Sequence, residues 1–438
     1  MESPLAYEYG VNNHTLPERR KIYRAVSGFF NMKIIYLHQY FNTPQMFGGT
    51  RSYEMARRFV AAGHEVHMIT SSRERNNNAS GCLEEIIDGI HVHWLSVSYS
   101  NKMDFKARIL AFLKFAVASG VKAYKVGGDV IFATSTPLTI ALPAVYAARR
   151  LKKPMVFEVR DLWPELPIAV GALKNPFLKK AAKWLERFAY QNSAEIIALS
   201  PGMKDGIIRT GYPAEHVHVI PNSCDLKLFQ VPLESGIAFR KRFPLINDRP
   251  LVIYAGTFGR INGVGYIVRL AAEMQKLSPE TCFLVIGDGY EFEMVANFAR
   301  DLGVLDQNFF MMSQLSKAEM PALFSAATIT ISTVIDLPQM GSNSANKFFD
   351  SLAAGRPVAI NYEGWQAEIL RKSGAGIVLP ANDIYKAARR LKQAISDKDW
   401  CSRAATEALK LARTQFDRDH LAKKLEAVLV SAVSNFKK

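Results

Sequence analysis

Short apolar runs alternate with longer amphipathic segments along the chain, and this alternation predicts parallel sheets covered by helices. In the first half, the pattern predicts buried strands at 33–37, 65–70, 129–134, 154–159, 195–200 and 217–222. In the second half, it predicts strands at 251–256, from 282, at 328–332, from 358 and at 376–379. The predicted helices include 102–126, 177–191, 383–396, 399–413 and about 418–434. The second half therefore repeats the α/β architecture of the first, without an obvious sequence repeat.

The length of 438 residues favours two domains over a single core. Residues 1–31 are interpreted as an extension ahead of the fold, and 32–229 as the first domain. Proline, glycine and basic residues concentrate in 230–250, which we predict to be the linker. Residues 251–414 form the predicted second domain. The predicted helix in 415–438 is expected to cross back to the first.

Composition narrows the class of protein. The apolar fraction is 49%, and no uninterrupted apolar run is long enough to span a bilayer. The first 20 residues are polar and predict no secretory signal. The four cysteines are scattered without metal-ligand spacing, which is typical of a reducing cytoplasm.

The formal charge of +15 favours anionic partners. Basic clusters interleaved with aromatic residues in a known module would favour nucleic acid, and we find none. We therefore predict phosphorylated ligands and an anionic membrane surface as partners. The helix at 102–126 carries many lysines and has two interpretations: it lies on a membrane, or it packs on the core with a solvated basic face.

Two glycine loops follow predicted strands. Gly48 and Gly49 follow the first strand, and Gly256 opens the second loop, with Gly287 and Gly289 after the next strand. Ligands of doubly wound sheets lie at the carboxyl ends of strands, where these loops fall. The first loop does not read Gly-x-Gly-x-x-Gly, which disfavours a dinucleotide-dependent dehydrogenase.

The segment 343–358 reads as a loop, a short helix and a strand. Asn346 and Lys347 stand at the predicted helix N-terminus, where unpaired backbone N–H groups favour an anion. Asp350 follows one turn later and would accept hydrogen bonds from two hydroxyls. The segment suits a nucleoside diphosphate with its ribose, although a capped helix packed on a sheet explains the same pattern.

Arg160 and Asp161 follow the strand at 154–159. A guanidinium and a carboxylate at the carboxyl end of a strand are well placed for a site. They could instead pair structurally with each other.

Six motifs in order resemble the GT-B glycosyltransferases of family 4. They are Gly48-Gly49 with 54–66, 160–164, 219–229, 254–256, 287–289 and 347–358. The resemblance covers about 32–430. Asn346–Asp350 and 160–164 look most like the WbuB-like branch of bacterial surface-polysaccharide sugar transferases, which includes transferases of N-acetylfucosamine.

The resemblance implies a fold and roles for residues. It implies two Rossmann-like doubly wound parallel-sheet domains facing across a cleft. Gly48 and Gly49 would approach the donor phosphates, and Arg260 would contact the diphosphate. Asp350 would hold the ribose, and Asp161 would orient the acceptor or stabilise positive charge on the sugar.

Two departures from the family pattern stand out. Asn262 and Gly263 occupy the place of a family lysine, and Lys347 is expected to supply that charge. The first of the family's paired acids falls at Ser342, so Asn343 or Ser344 is expected to replace it.

The implied activity is retaining sugar transfer from a nucleotide donor, UDP favoured, without a metal. The acceptor is expected to be lipid-linked, on a polyprenyl diphosphate at the inner face of the plasma membrane. Two alternatives remain open: a nucleotide-sugar epimerase of GT-B form, and a non-catalytic scaffold at the membrane. The sequence leaves the oligomeric state open.

Overall fold

The computed structural model describes residues 31–46, 48–72, 82–97 and 105–436, and side chains within these ranges except those of 105–108. The predicted N-terminal extension therefore lies outside the described residues, apart from residue 31.

The first half builds an eight-stranded sheet in the order β3-β4-β2-β1-β5-β6-β7-β8. Strand β3 pairs antiparallel with β4, and the other pairs are parallel. Its strands are β1 Lys33–Leu37, β2 Glu65–Ser71, β3 Cys82–Ile87, β4 Ile90–Leu95, β5 Val130–Thr134, β6 Met155–Val159, β7 Glu195–Ala198 and β8 Val217–Val219. The hairpin of β3 and β4 was not predicted, and it extends the sheet at one edge.

Helices connect these strands and cover the sheet. They are α1 Arg51–Ala61, α2 Phe105–Val126, α3 Ala141–Leu151, α4 Glu165–Ala169, α5 Pro176–Gln191 and α6 Pro201–Arg209. Asn175 and Ser200 cap α5 and α6 through side-chain oxygens that accept backbone N–H groups. Capping fixes where each helix begins and so where the preceding strand-end loop lies.

The second half builds a six-stranded parallel sheet in the order β11-β10-β9-β12-β13-β14. Its strands are β9 Leu251–Ala255, β10 Cys282–Ile286, β11 Phe309–Met312, β12 Ile329–Ser332, β13 Val358–Ile360 and β14 Gly376–Val378. The four inner strands β9, β10, β12 and β13 are buried throughout, as expected where helices cover both faces, whereas the edge strands β11 and β14 are only partly buried. The predicted α/β class with two parallel sheets is confirmed.

Ten α-helices follow α6 within the described chain. They are α7 Leu226–Phe229, α8 Leu233–Lys241, α9 Gly265–Leu277, α10 Phe292–Asp301, α11 Met320–Ala326, α12 Asn346–Ala353, α13 Trp365–Ser373, α14 Ile384–Ser396, α15 Lys398–Thr414 and α16 Arg418–Asn435. The predicted linker at 230–250 contains α8, which packs against α11 of the second half. Arg240 of α8 donates a hydrogen bond from Nε to the carbonyl of Ala326 (2.9 Å), so this segment is anchored to the second half.

The last helix leaves the second sheet and packs on the first. Leu421, Leu425 and Leu429 of α16 are at most 2% exposed and belong to the core that contains Ile34 and Val66. Among the described helices, none combines the length and apolar character needed to cross a bilayer.

The apolar residues of α2 are only partly buried. Ile109, Leu113 and Val117 are exposed, whereas Phe115 is buried against the first sheet. The helix is therefore anchored on the core through Phe115 and carries an additional apolar strip on its outer side.

Candidate functional site

A cavity of about 470 Å³ lies between the two sheets. This volume is in the usual range for small-molecule sites. Both halves and the start of α16 contribute to its wall. Its polar lining includes Thr50, Arg51, Asn222, Ser223, Asp225, Thr257, Asn262, Asp288, Gln314, Lys317, Asn343, Ser344, Asn346, Lys347, Asp350 and Arg418.

Helix α12 supplies the side chains that are predicted to contact the phosphates and the ribose. Asn346, Lys347 and Asp350 all line the cavity. The Lys347 ammonium donates a hydrogen bond to Asn262 Oδ1 (3.0 Å) and lies 4.9 Å from the centre of the Tyr254 ring. Asn262, which the resemblance places where a family lysine is expected, therefore accepts a hydrogen bond from Lys347.

Burial shifts the pKa values of the two charged side chains of α12 in opposite directions. Loss of water around Lys347 lowers its pKa to about 8. Burial raises the pKa of Asp350 to about 6, although Arg418 and Lys317 oppose this. A buried cation gains most from an anionic ligand, because the ligand replaces the missing counter-charge.

Two glycines allow the backbone to pass close to this site. A β-carbon on Gly256 would stand 2.8 Å from Lys347 Cε, so glycine there leaves room for the lysine. A β-carbon on Gly287, where φ is +153°, would stand 1.8 Å from the Gly256 carbonyl oxygen. Both glycines line the cavity, and Gly287 is required for the packing of the two loops.

The first half faces α12 with the loop of Gly48 and Gly49, and both glycines line the cavity. A β-carbon on Gly49 would stand 3.5 Å from Asn346 Nδ2 and 3.7 Å from Arg160 Nη2. The predicted glycine loop, the helix start and the arginine after β6 therefore meet across the cleft.

Hydrogen bonds hold the two halves together at the cavity. Asn222 Nδ2 donates to the Ser344 carbonyl (2.6 Å), and the Asn222 N–H donates to Ser344 Oγ (3.1 Å). Ser200 Oγ donates to the carbonyl of Ser342 (2.7 Å). A β-carbon on Gly202 would approach Ser342 Oγ, so Ser342 faces α6. Asn343 and Ser344, the predicted replacements for the missing acid, line the cavity instead.

Sequence reasoning missed a charged cluster at the cavity wall. Lys317 donates to Thr50 Oγ1 (2.8 Å) and Glu54 Oε1 (3.2 Å). Arg418 Nη1 lies 3.7 Å from Glu54 and 3.8 Å from Asp225. Burial opposes ionisation of Glu54, but Arg418, Lys317 and Arg57 lower its pKa to about 2. These residues come from distant parts of the chain, so no local motif signals the cluster.

Asp161 lies beside Arg160 at the end of β6 and does not line this cavity. Thr136 Oγ1 donates to Asp161 Oδ2 (3.3 Å). Burial raises the pKa of Asp161, opposed by Arg160 and the Thr136 hydrogen bond. Arg160 Nη1 lies 3.3 Å from His38 Nε2. The carboxyl end of β6 thus carries a half-buried carboxyl group near the cleft.

Two further predicted residues lie outside the cavity wall. Arg260 is exposed, although its neighbours Ile261 and Asn262 line the cavity. A β-carbon on Gly289 would stand 2.3 Å from the Phe258 carbonyl oxygen, so this glycine allows close backbone packing. The proposed contact of Arg260 with a diphosphate remains a prediction.

Two protein-family models match the chain, one on each half. The model described as "Glycosyl transferase 4-like domain" matches residues 48–223. The model described as "Glycosyl transferases group 1" matches residues 237–411. Together they occupy most of the chain, and the cavity lies where the two matched regions meet.

Curated relatives are distant. An alpha-D-kanosaminyltransferase of Streptomyces kanamyceticus is 23% identical over 54% of this chain and 60% of its own length. A putative colanic acid biosynthesis glycosyl transferase of Escherichia coli is 24% identical over 64% of this chain and 72% of its own. The match therefore spans less than two thirds of the first of these proteins.

A solved structure from Anabaena, HepE in complex with UDP and glucose, shares the fold with a TM-score of 0.70. It is 16% identical, and the similarity covers 92% of this chain and all of that one. The predicted arrangement of two facing sheets is thus confirmed at the level of the fold.

Proposed function

Because this chain belongs to the GT-B glycosyltransferases, we propose that it transfers a sugar from a nucleoside-diphosphate donor to a glycan acceptor. The observation that carries this proposal is the start of α12. There, Asn346 and the half-buried Lys347 line the cavity, and Asp350 lines it one helical turn later. The ammonium of Lys347 suits the diphosphate of such a donor, and the carboxylate of Asp350 suits the hydroxyls of its ribose.

The donor is proposed to be a UDP-sugar. Support comes from the structure of HepE with UDP and glucose, which shares this fold. The resemblance of 346–350 and 160–164 to the WbuB-like branch supports an N-acetylated deoxyhexosamine as the sugar.

The reaction is proposed to retain configuration at the anomeric carbon. The bond from that carbon to the diphosphate breaks, and a bond to the acceptor oxygen forms. Lys347, Arg260 and the N–H groups at the start of α12 stabilise the leaving diphosphate as its negative charge grows. These cations support transfer without a metal, and the diphosphate takes the acceptor proton. Asp161 orients the acceptor or stabilises the positive charge of the sugar ring.

The acceptor is proposed to be linked to a polyprenyl diphosphate at the inner face of the plasma membrane, as a step in exopolysaccharide, capsule or O-antigen synthesis. Support comes from an exposed surface formed by α2, α3 and α5. Its large apolar members are Ile109, Leu110, Leu113, Val117, Val121, Tyr124, Tyr146, Phe177, Leu178 and Trp184.

Basic residues are interleaved with this apolar surface. Arg150 lies over the Tyr124 ring (5.3 Å), and Arg149 lies over the Phe188 ring (5.8 Å). These contacts join the three helices into one surface. Lys180 and Lys183 are exposed on α5 beside Trp184, which is 60% exposed. Amphipathic side chains and cations in this arrangement suit an anionic bilayer.

Sedimentation with anionic vesicles tests the membrane contact. Replacing Lys180, Lys183 and Arg187 by alanine removes three exposed cations, each contributing about 1 kcal/mol near an anionic surface. We expect roughly 100-fold weaker binding. In the matched control, alanine replaces Lys372, Lys398 and Lys410 of the second half, which are also exposed. If both triple variants bind equally, this surface is not the contact.

Transfer itself is tested by incubating the protein with a UDP-sugar panel and polyprenyl-diphosphate-linked glycans. We expect UDP to be released only when the acceptor is present. We also expect the new linkage of the extended glycan to have the same anomeric configuration as the donor, measured by its NMR coupling constant. Turnover of the nucleotide sugar without acceptor would favour the epimerase. Absence of any turnover would favour the scaffold.

A further inference from the structure

Polar side chains share one face of the first sheet at its antiparallel edge. Glu84 of β3 pairs in register with His93 of β4, and Cys82 lies two residues before Glu84 on the same face. A sulfur, a carboxylate oxygen and an imidazole nitrogen of these residues lie within 4.8 Å of one another. None of the three lines the cavity between the sheets. We propose that Cys82, Glu84 and His93 bind a divalent transition-metal ion, with Zn²⁺ as the best chemical match.

A chain of hydrogen bonds prepares His93 as a ligand. His67 Nε2 lies 2.9 Å from Glu65 Oε1, and Glu65 also pairs with Lys33 (3.0 Å). The carboxylate accepts, so His67 Nε2 carries the proton and Nδ1 of the neutral ring carries a lone pair. His67 Nδ1 lies 2.9 Å from His93 Nε2, which must then donate. The lone pair of His93 is left on Nδ1.

That nitrogen faces other electron-rich atoms. His93 Nδ1 is buried and has no hydrogen-bond partner among the described residues. It lies 3.6 Å from Glu84 Oε1, too far for a hydrogen bond. A buried acceptor without a donor is unfavourable, and a metal ion bound by both His93 Nδ1 and Glu84 would satisfy it. The side chain of His93 is 5% exposed, so its direction is fixed by the protein.

The donor set selects the class of ion. Thiolate, imidazole and carboxylate together suit Zn²⁺ and Co²⁺, whereas Mg²⁺ and Ca²⁺ prefer oxygen alone. Zinc ligands at their normal bond lengths stand roughly 3.3–3.6 Å apart in a tetrahedron. The spacing between His93 and Glu84 already matches this value. Cys82 is exposed at the sheet edge, so its sulfur can approach the ion by a change of side-chain rotamer.

The remaining parts of the cluster have clear roles. Glu65 and His67 are positioning residues, because they act on the metal only through His93, as carboxylates behind metal-bound histidines do. Lys122 of α2 forms an ion pair with Glu84. This ammonium competes with the metal for the same carboxylate, and its side chain is 19% exposed, so it can turn out to solvent.

Cobalt titration of the chelator-treated full chain tests the proposal. We expect one Co²⁺ per chain, a near-ultraviolet charge-transfer band from the thiolate, and displacement by Zn²⁺. Cys82→Ser should abolish the band, whereas the control Cys401→Ser, on α15, should keep it. Absence of the band in the wild type, or its persistence in Cys82→Ser, would overturn the proposal.

Two variants outside the ligand set separate a built site from a lone reactive thiol. Glu65→Gln should weaken Co²⁺ binding tenfold to 100-fold, because a neutral amide no longer holds the proton of His67 on Nε2 and so no longer orients His93 as a ligand. Lys122→Met should strengthen binding at least several-fold, because the competing cation is gone. Unchanged affinity in both variants, with circular dichroism showing a normal fold, would mean adventitious binding by Cys82 and would overturn the proposal.

Discussion

At the scale of single residues, Lys347 and Asp350 are the pair on which the proposed donor site depends. Burial favours the neutral form of each side chain: it lowers the pKa of Lys347 to about 8 and raises the pKa of Asp350 to about 6. Both are therefore charged together only between these two values. A diphosphate needs the ammonium, and ribose hydroxyls need a carboxylate that accepts.

Affinity for a nucleotide sugar should accordingly follow a bell-shaped pH profile with its maximum between about 6 and 8. Below pH 6, Asp350 gains a proton and stops accepting from two hydroxyls; above pH 8, Lys347 loses its charge. A nucleotide sugar is the better probe, because it lacks the terminal phosphate that titrates near pH 6.

Calorimetric titration across pH 5–9 measures this profile. Asp350→Asn should flatten the acid limb alone, and Lys347→Met the alkaline limb alone. A profile that keeps both limbs in both variants would show that other groups control binding.

A second pair at this scale concerns stability. The guanidinium of Arg51 in α1 bonds Glu158 of β6 through Nε (3.0 Å) and Nη2 (2.9 Å). Both side chains are at most 3% exposed. Burial opposes ionisation of Glu158, but Arg51 and Arg160 keep its pKa below the ordinary value.

Arg51→Ala should lower the free energy of unfolding by roughly 3–5 kcal/mol, because it leaves a buried carboxylate without its partner. Urea denaturation measures the change. The control is Arg371→Ala, whose pair with Glu363 is exposed and should contribute at most about 1 kcal/mol. Equal losses in the two variants would contradict the assignment.

At the scale of elements, the strands with apolar runs were predicted correctly from the sequence, since covered parallel strands are apolar on both faces. The hairpin of β3 and β4 was missed. Leu83 and Ile86 of β3 are exposed, and β4 contains His91 and His93, so neither strand is a simple buried run. The short strand β11 was also missed.

Helix α16 was predicted, and its position on the first sheet follows from its buried leucines. Leu425→Ala removes a side chain that is fully buried against that sheet and should cost about 2–5 kcal/mol. Lys424→Ala, on the exposed side of the same helix, should change stability by at most about 0.5 kcal/mol. Urea denaturation followed by circular dichroism measures both. Similar values would mean that α16 does not pack as described.

At the scale of the whole molecule, the candidate site exists only because two halves and a returning helix meet. Gly48, Gly49, Asn346, Lys347 and Asp350 were predicted from local motifs, and the structure brings them to one cavity. The contributions of Lys317 and Arg418 could not be predicted, since each depends on packing between segments hundreds of residues apart. Local patterns indicate which chemistry a segment offers, but not which segments meet.

The central claim is that this cavity binds a nucleoside diphosphate through α12. Calorimetric titration of UDP, GDP and dTDP into the wild type and Asp350→Ala tests it most directly, with the exposed Asp301→Ala as control. We expect one nucleotide, UDP, to bind to the wild type and to Asp301→Ala. We expect binding to fall tenfold to 150-fold in Asp350→Ala, the loss of about 1.5–3 kcal/mol for hydrogen bonds to a charged group. Failure of all three nucleotides to bind, or undiminished binding in Asp350→Ala, would contradict the account.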